Sequence, residues 1–312
     1  MKKLLKYLYL NTIAGKFIIG IGIKLHHQYR IYFVGEEKFI RERFKKRVGV
    51  LPNLENPLSF NEKINWLKLN DRTPLHTTCA DKYAVREYVK EKVGEKYLIP
   101  LVFQSYNIKD LLPDNLPDFP FIIKTNHDSS GGVIVKNKEA INWKKLQKKF
   151  KKLLRINYYY QSKEWQYKNI KPCIIAEKLL ISEKGVIPFD YKLHCIHGKV
   201  IVIQVDIDRY TNHRRNLYST DWKLQPFTWS AWRNNEPLWV NGREIDPPSN
   251  LKEMIQIAEK LSQGFAYARI DLYEHDNKVY FGEITFHHGS GYEILYPKIW
   301  DKKFGDMLTL RI

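Results

Sequence analysis

The chain has 312 residues, of which 44% are hydrophobic, and a formal net charge of +18 at pH 7. That length allows one large domain or two to three small ones, and the hydrophobic content is ample for a core. Its three cysteines, Cys79, Cys173 and Cys195, exclude a disulfide framework, and their spacing matches no zinc motif. We expect them to be small core residues in a reducing compartment.

Basic residues are concentrated in residues 2–30, 38–47 and 144–155. A charge of this size indicates an anionic partner, and nucleic acid, an anionic membrane surface and a phosphate-rich substrate all fit. A solvated face is the plainer alternative for each cluster. No helix-turn-helix or RNP strand accompanies the charge, so the sequence argues against nucleic acid.

Residues 1–48 have a helical pattern but carry no chemical motif. The longest apolar run near the start, residues 17–23, is far shorter than the ~20 residues that a membrane span needs. Lys16 and Lys24 interrupt the stretch that a signal peptide would require, so we expect a cytoplasmic protein. The basic first 30 residues either lie on the anionic inner leaflet of the plasma membrane or pack on the body of the protein.

The next segment alternates between predicted helices and strands, which indicates α/β or α+β layers. Ser59 and Glu62 match a capping box that opens a helix over residues 59–69. A second helix is predicted over residues 81–93. A short strand over residues 98–103 and a proline-rich linker follow.

Residues 121–124 form a short apolar strand that ends in Lys124. A loop of small residues with Gly131 and Gly132 leads into a second strand over residues 133–136. Small residues let backbone N–H groups approach phosphate oxygens, and the lysine adds a point charge. A phosphate-binding loop is therefore one interpretation, and a simple turn is the other.

Further strands are predicted over residues 174–180 and within residues 189–206. The strand over residues 189–196 has Asp190 and Lys192 on one face. A polar, tryptophan-rich excursion follows over residues 207–248. Its arginines, Arg209 and Arg215 among them, predict an acceptor-binding wall, with Arg215 as a catalytic candidate. The alternative is a covering flap whose tryptophans fill a core. A helix over residues 251–263 ends at Gly264.

A hairpin over residues 267–285 is the most informative feature of the chain. Arg269 and Asp271 share one face of its first strand, and Glu283 and Thr285 share a face of the second. Two carboxylates from adjacent strands can therefore converge, and carboxylate oxygens suit Mg²⁺, whose other ligands are usually phosphates. The alternative is a surface hairpin with a salt bridge.

Five motifs follow one another along the chain, and their order and spacing are similar to those of the ATP-grasp superfamily of ligases. The chain most resembles the TupA-like ATP-grasp proteins, named for teichuronopeptide biosynthesis, over residues 50–310. The motifs are Pro57-Leu-Ser-Phe-Asn-Glu-Lys-Ile-Asn-Trp66, Asp81-Lys82-Tyr-Ala-Val-Arg86, residues 121–132, Asp190-Tyr-Lys192 and Phe281-Gly-Glu-Ile-Thr-Phe286.

The resemblance implies an α+β ATP-grasp fold, in which two α+β subdomains clasp ATP behind a helical N-terminal extension. Residues 1–48 would be that extension, and residues 49–120 an N-terminal substrate region. Residues 121–180 would form the first subdomain with the glycine-rich loop. Residues 181–312 would form the second subdomain with the magnesium and phosphate site.

The resemblance also implies roles for the matching residues. Asp271, Glu283 and Thr285 would hold Mg²⁺, Lys192 would reach the γ-phosphate or the substrate carboxylate, and Arg269 would stabilise the transferring phosphoryl group. The residues expected to bind ATP are Lys82, Lys124, Gly131, Gly132, Glu177, Lys178, Leu180, Glu183 and Asp190.

Two positions need comment against the ligase pattern. Thr285 stands where the ligases usually have Asn, and a hydroxyl is a poorer Mg²⁺ ligand than an amide oxygen; TupA-like proteins share this threonine. His287 and His288 follow, and either would act on the incoming amine or bind substrate. The alternative is that both histidines only pack the loop.

The implied activity is that of an ATP- and Mg²⁺-dependent carboxylate–amine ligase in bacterial surface polysaccharide synthesis. It would join an amino acid or amine to a carboxylate, for example a uronic acid, through an acyl phosphate. The same fold also supports phosphoryl transfer to a hydroxyl. Two other classes stay open: a glycosyltransferase, with Asp206-Ile-Asp208 as its metal motif, and a non-catalytic binder of membranes or nucleic acid.

Overall fold

This computed structural model describes residues 12–129, 132–182, 185–207 and 212–311. Their α-helices are α1 (Ile13–Phe33), α2 (Glu36–Val48), α3 (Phe60–Asn70), α4 (Pro74–Ala80), α5 (Val85–Lys92), α6 (Trp143–Leu153), α7 (Tyr158–Ser162), α8 (Leu251–Ser262) and α9 (Ile299–Met307). Their strands are β1 (Leu101–Ser105), β2 (Phe121–Thr125), β3 (Val133–Val135), β4 (Ile174–Lys178), β5 (Asp190–Ile196), β6 (Lys199–Ile207), β7 (Arg214–Tyr218), β8 (Thr228–Ser230), β9 (Trp232–Arg233), β10 (Glu236–Pro237), β11 (Tyr267–His275), β12 (Lys278–Thr285) and β13 (Ile294–Tyr296). Helices combined with antiparallel sheets confirm the predicted α+β class.

The first large sheet has the strand order β1-β4-β2-β3 and is antiparallel throughout. Its covered face packs against α6, whose Leu146 and Phe150 join Phe121, Ile123 and Ile174 in one core. The opposite side of α6 is lysine-rich and exposed. The helix is therefore amphipathic, and only its apolar stripe fixes it to the sheet.

The second large sheet has the order β12-β11-β5-β6-β7 and is also antiparallel. One face packs against α8 through Met254, Ile257 and Leu261, in a core that includes Ile270 and Leu272. Helices α3 and α9 cover part of the other face, in a second core built around Phe60 and Trp229. The rest of that face carries charged side chains, which form the candidate site.

The predicted hairpin is confirmed as β11 and β12. Asp276 and Asn277 form the turn, and both have positive φ angles, of 50° and 55°. Two such residues define a type I′ turn, whose twist matches the flanking strands. Beyond Leu272, which lies opposite Phe281, a bulge at Gly282 shifts the register by one residue, so that Asp271 lies opposite Glu283 and Arg269 opposite Thr285.

Two predicted boundaries were wrong. The helix expected over residues 81–93 begins only at Val85, because the Asp81 carboxylate accepts bonds from the N–H groups of Tyr83 and Ala84 and holds a turn. The strand expected at 98–103 is shifted to β1. The strand expected over residues 189–196 is confirmed as β5, and β6 follows it after a turn at His197 and Gly198.

The N-terminal helices join the body of the protein through buried charged contacts. Glu36, at the start of α2, forms an ion pair with Arg72 at 2.6 Å and accepts a hydrogen bond from the hydroxyl of Tyr159. Lys163 donates to the carbonyl of Ile31. Over the described ranges, no helix is both long enough and apolar enough to cross a bilayer. Residues 1–11, part of the predicted helical extension, lie outside those ranges.

Gly305 allows α9 to approach the chain just before α3. A Cβ atom at this position would lie 2.3 Å from the carbonyl oxygen of Leu58 and 2.9 Å from the nitrogen of Phe60. We therefore expect Gly305→Ala to lower the free energy of unfolding by about 1–3 kcal/mol. Urea denaturation measures this change. Gly35→Ala is the matched control, since nothing lies within 4 Å of its added Cβ; equal losses in both variants would contradict the close-contact explanation.

Candidate active site

A row of polar side chains crosses the open face of the second sheet. Glu283, Asp271, Lys192 and Gln204 are paired in sequence from β12 to β6, so all four project from the same face. Asp271, Lys192 and Gln204 are buried, whereas the Glu283 side chain is 38% exposed. Glu283 is therefore the member of the row that opens to the space between the sheets.

Arg269 links the two predicted metal-binding carboxylates. Its Nε and Nη2 each donate to one oxygen of Asp271 at 2.7 Å, which is a bidentate pair. The same Nη2 lies 3.4 Å from Glu283 Oε1. Burial is the largest influence on Asp271 and raises its pKa, and Arg269 acts in the opposite direction. The guanidinium is thus the internal counter-ion of a carboxylate that has almost no contact with water.

Basic side chains reach the cleft from the other side, Lys124 from β2 of the first sheet and Lys82 from the turn before α5. Lys82 Nζ lies 3.7 Å from Glu283 Oε2, and Lys124 also acts electrostatically on Glu283. Burial would raise the pKa of Glu283, but Lys82, Arg269, Lys192 and Lys124 together lower it. The predicted phosphate-binding lysines and the predicted metal-binding hairpin therefore face one another.

Glu177 is the carboxylate of the first sheet that pairs with these cations. Its oxygens lie 2.6 Å from Lys124 Nζ and 3.2 Å from Arg86 Nη1. The backbone N–H groups of Lys178 and Leu179 donate to the carbonyls of Pro100 and Pro120. The N–H groups of Lys178 and Leu179 therefore already have backbone partners.

Asn126 fixes the loop that follows β2. Its side chain donates to Asp81 and to the carbonyl of Lys171, and it accepts from the N–H of Cys173. Its carbonyl accepts from the N–H of Lys82. Lys82 Nζ then donates to the carbonyl of Asp128 at 2.6 Å. The position of Lys82 is therefore set by the loop whose phosphate-binding role was predicted.

A buried ionic network continues from Lys192 across β6 and β7. Lys192 contacts Asp190 and lies 3.2 Å from Asp206, which accepts from Arg215 Nε at 3.1 Å. Burial would raise the pKa of Asp206, but His213, Lys192 and Arg215 outweigh it and hold that pKa below its usual range. Asp206 is thus an internal counter-ion.

Arg215 extends this network to residues near the C-terminus. Its Nη1 donates to Glu293 and to the carbonyl of Trp229, both at 2.6 Å, and its guanidinium stacks on Trp239. Trp229 is itself 1% exposed and packed in the core. The packing of Trp229 supports the covering-flap interpretation of residues 207–248, and the acceptor-binding wall with Arg215 stays a prediction.

His288 closes the network back to Arg269. Its Nδ1 lies 2.9 Å from Arg269 Nη1, and its Nε2 lies 2.9 Å from Glu293 Oε2. Burial is the main cause that lowers its pKa to about 4. A neutral ring that accepts at Nδ1 and carries its proton on Nε2 satisfies both neighbours. Arg269, His288, Glu293, Arg215, Asp206 and Lys192 thereby form one continuous buried chain.

A second buried network holds the loop over residues 287–293 and was missed in the sequence. Glu164 accepts hydrogen bonds from Gln166 and from the hydroxyl of Ser290, and its Oε2 lies 3.7 Å from His287 Nδ1. Lys68 donates to the carbonyl of Ser290. The available signal was the spacing of Asn61, Asn65 and Lys68, which puts three polar residues on one face of α3. Asn61 and Asn65 donate to the carbonyls of Glu293 and Gly291.

Magnesium, which the resemblance implies, fits the donors present. Asp271 and Glu283 offer hard oxygen atoms from neighbouring strands, and Glu283 is open to the cleft. Among the described residues, no group of three or more His, Cys, Asp and Glu could hold a metal by itself. A magnesium ion here would therefore take most of its ligands from phosphate and water, which is its usual behaviour.

Most of the predicted site residues lie around this cleft. Thr285 is on β12 opposite Arg269, and Gly132 lies so close to β2 that a Cβ would meet the side chain of Ile122 at 2.5 Å. Leu180 is buried, and Lys178 is exposed at the end of β4. His287 and His288 are both buried in the networks. Gly131, Glu183 and Arg209 lie outside the described residues.

Comparison with family models matches residues 62–309 to the family described as TupA-like ATPgrasp. The match covers most of the sequence, and the chain belongs to the TupA-like ATP-grasp family. The predicted family and the predicted ATP-grasp fold are thereby confirmed. Comparison with curated proteins gave no significant match.

Several solved structures are similar at low identity. D-alanine–D-alanine ligase from Bacillus anthracis, complexed with ATP, is 18% identical, with a TM-score of 0.38 over 67% of this chain and 54% of that one. L-amino acid ligase from Bacillus licheniformis is 15% identical, with a TM-score of 0.41 over 74% and 49%. D-alanine–D-alanine ligase from Helicobacter pylori is 16% identical, with a TM-score of 0.41 over 75% and 59%. The chain thus spans only about half the length of these proteins, and similarity this low transfers no residue role.

The buried Lys68 makes stability depend on pH. Burial lowers its folded-state pKa to about 7, whereas an unfolded lysine has a pKa of about 10.4. Between these values the unfolded chain binds more protons, so stability rises with pH. We expect the unfolding free energy of wild type, relative to Lys68→Met, to increase by up to about 1.4 kcal/mol per pH unit in this window. Urea titrations across that window test it. A difference in unfolding free energy that stays constant with pH would contradict this prediction. Lys260→Met replaces a lysine on an exposed surface and is the control, so its difference from wild type should not change with pH.

Arg215 neutralises two buried carboxylates, so its loss should destabilise the fold whatever its part in catalysis. We expect Arg215→Met to cost about 3–5 kcal/mol of unfolding free energy, because Asp206 and Glu293 would lose a shared cation. Adding Glu293→Gln should recover part of that loss. Arg233→Met, at an exposed position, is the control. Unchanged stability in urea denaturation would restrict Arg215 to a role in binding or catalysis.

Proposed function

We propose that this protein is an ATP- and Mg²⁺-dependent carboxylate–amine ligase that forms an amide through an acyl phosphate. The observation that carries the proposal is the meeting of Lys82 and Lys124, from one side of the cleft, with Arg269, Asp271 and Glu283 from the other. Cations beside a pair of carboxylates are what a nucleotide triphosphate and its metal need. Membership of the ATP-grasp family supports the same chemistry.

The proposed reaction has two steps. In the first, a carboxylate oxygen attacks the γ-phosphorus of ATP, the bond from that phosphorus to the β–γ bridging oxygen breaks, and ADP leaves. In the second, an amine nitrogen attacks the acyl carbon, and inorganic phosphate leaves with the electron pair of the C–O bond. The nitrogen loses one proton to phosphate or water. The products are an amide, ADP and phosphate.

The side chains of the cleft suit the first step by placing charge. Lys82 and Lys124 would hold the phosphates, and Asp271 and Glu283 would hold the magnesium ion, which neutralises phosphate charge when bound. Arg269 would stabilise the transferring phosphoryl group. For this it must exchange at least one of its bonds to Asp271 for a phosphate oxygen.

Less direct roles in the reaction are proposed for Lys192, Thr285 and the two adjacent histidines. Lys192 lies between Asp190 and Asp206, so contact with a phosphate or substrate carboxylate would need an exchange of ion-pair partners. His288 would hold the guanidinium of Arg269 through its Nδ1. We propose positioning roles for both side chains.

The two rival classes account for less of this site. A glycosyltransferase would use Asp206 as a metal ligand, but two cations, Lys192 and Arg215, lie within 3.2 Å of its carboxylate oxygens. Asp208 lies outside the described residues. A binding module without catalysis has no need of facing lysines and carboxylates. Phosphoryl transfer to a hydroxyl uses the same cleft, and the product distinguishes it.

For the biological setting we propose bacterial surface polysaccharide synthesis, with a uronic acid or related carboxylate as one substrate and an amino acid or amine as the other. The family resemblance to proteins of teichuronopeptide biosynthesis supports this choice. The net charge of +18 suits a polyanionic or lipid-pyrophosphate-linked acceptor on the cytoplasmic side of the membrane.

Thermal melting with a non-hydrolysable ATP analogue and Mg²⁺ tests nucleotide binding. Wild type should gain about 5 °C near saturation. Lys124→Met and Glu283→Gln should lose that gain, because each removes a charge from the cleft. Lys136→Met is the matched control, since it lies on the same hairpin but is exposed. A gain in melting temperature with UDP-sugar and metal, but not with the ATP analogue and Mg²⁺, would refute the proposal.

A hydroxylamine trap then tests the chemistry. With ATP, Mg²⁺ and a panel of uronic acids, hydroxylamine should capture the acyl phosphate as a hydroxamate while ADP is released. Replacing hydroxylamine by amino acids should yield the amide, detected by mass spectrometry. ADP release with a stable phosphate ester and no hydroxamate would instead establish a phosphotransferase.

A further inference from the structure

Helix α6 and the turn that follows it present a strip of seven cationic side chains to solvent. The strip consists of Lys144, Lys145, Lys148, Lys149, Lys151, Lys152 and Arg155, all of them exposed. The helix has no acidic residue. The ion pairs between described residues include none of the seven. This is a concentration of positive charge with no internal counter-charge in the described part of the chain.

Repulsion among the like charges of the strip lowers the stability of the helix, and the packing of α6 on the first sheet does not require these charges. Lysines three and four positions apart, such as Lys144 and Lys148, are neighbours on a helix and repel one another. The helix is fixed to the first sheet by Leu146 and Phe150 on its opposite face. Polar uncharged residues would serve the exposed face equally well. A dense cationic strip of this kind points to an anionic partner.

Helix α1 shows a second unpartnered surface of opposite character. Seven large apolar or aromatic side chains are between 45% and 76% exposed, namely Phe17, Ile18, Ile21, Leu25, Tyr29, Tyr32 and Phe33. Steps of three and four residues put most of them on one stripe of the helix. The sequence of α1 contains no acidic residue. Exposed apolar stripes of this length mark interaction sites.

The two surfaces border the same short helix, α7. Tyr32, at the end of α1, packs against Tyr160 of α7 with ring centroids 4.7 Å apart. Helix α6 ends at Leu153, five residues before α7 begins. The apolar stripe therefore ends beside α7, which is the next helix after α6 along the chain.

We propose that α1 and the cationic strip of α6 together form a docking surface for an anionic phospholipid bilayer. A bilayer of this kind offers both negative headgroups for the lysines and an apolar layer for the α1 side chains. A soluble polyanion would account for α6 alone. A second copy of the chain would account for α1 alone, because two lysine strips repel. This inference does not depend on the ligase proposal.

Co-sedimentation of the full chain with vesicles tests the cationic strip. The protein should bind vesicles of phosphatidylcholine with phosphatidylglycerol and not vesicles of phosphatidylcholine alone. The triple variant Lys144→Gln, Lys148→Gln, Lys151→Gln should bind about 100-fold more weakly. The matched control is Lys252→Gln, Lys260→Gln, Lys278→Gln, which removes three exposed charges elsewhere and should change binding less than threefold.

The apolar stripe needs a separate variant. Ile18→Ser, Ile21→Ser, Leu25→Ser should weaken binding to anionic vesicles at least tenfold at fixed salt, with an unchanged melting temperature of the body of the protein. Light scattering on the same samples follows the oligomeric state.

Four results would overturn the proposal. They are no binding to anionic vesicles, equal losses in the two lysine triple variants, binding of soluble polyuronate or duplex DNA in place of vesicles, and conversion of a dimer to a monomer by the serine variant with vesicle binding intact. All of these measurements are made without ATP, so their failure leaves the ligase proposal untouched.

Discussion

The bidentate pair of Arg269 and Asp271 is the interaction on which the rest of the site depends. The pair buries two charged groups on the face of a sheet, where an unpaired ion would cost on the order of several kcal/mol. Both groups therefore need further partners, and the structure supplies Glu283 on one side and His288 on the other. His288 in turn requires Glu293, and Glu293 requires Arg215. Each buried charge fixes the next one.

The same logic explains how two loops beside the cleft are held in place. The loop over residues 287–293 cannot drift without exposing or orphaning charge, and α3 secures it through Asn61, Asn65 and Lys68. The loop after β2 is secured by Asn126 in a similar way. Preorganised charges of this kind suit phosphoryl transfer, in which the protein mostly positions groups and neutralises charge. The outer surface shows the opposite pattern. Among the described residues, the exposed lysines of α6 have no ion-pair partner, and large apolar side chains of α1 are exposed to solvent.

Much of the fold and part of the site could be predicted from the sequence, wherever the signal is local. Alternation along residues 267–285 put Arg269 and Asp271 on one face of the first strand and Glu283 and Thr285 on one face of the second. The pairing of Asp271 with Glu283 also depends on the register shift between Asp271 and Leu272, which alternation does not predict. The capping box at Ser59 and Glu62 is confirmed for the same reason: its two bonds join residues three apart. The family and its ATP-grasp fold followed from motif order. Boundaries were less certain, and the late start of α5 depended on the Asp81 side chain.

The sequence by itself therefore determined the elements, the family and the identity of the residues along the cleft. Only the tertiary structure decided how their charges are balanced, because the partners are distant along the chain. Arg215 meets Glu293 across 78 positions, and Ser290 meets Glu164 across 126. Burial sets the cost of each charge, and burial together with the neighbouring charges sets the direction of each pKa shift; both are properties of packing. No periodicity within a strand or a helix contains that information.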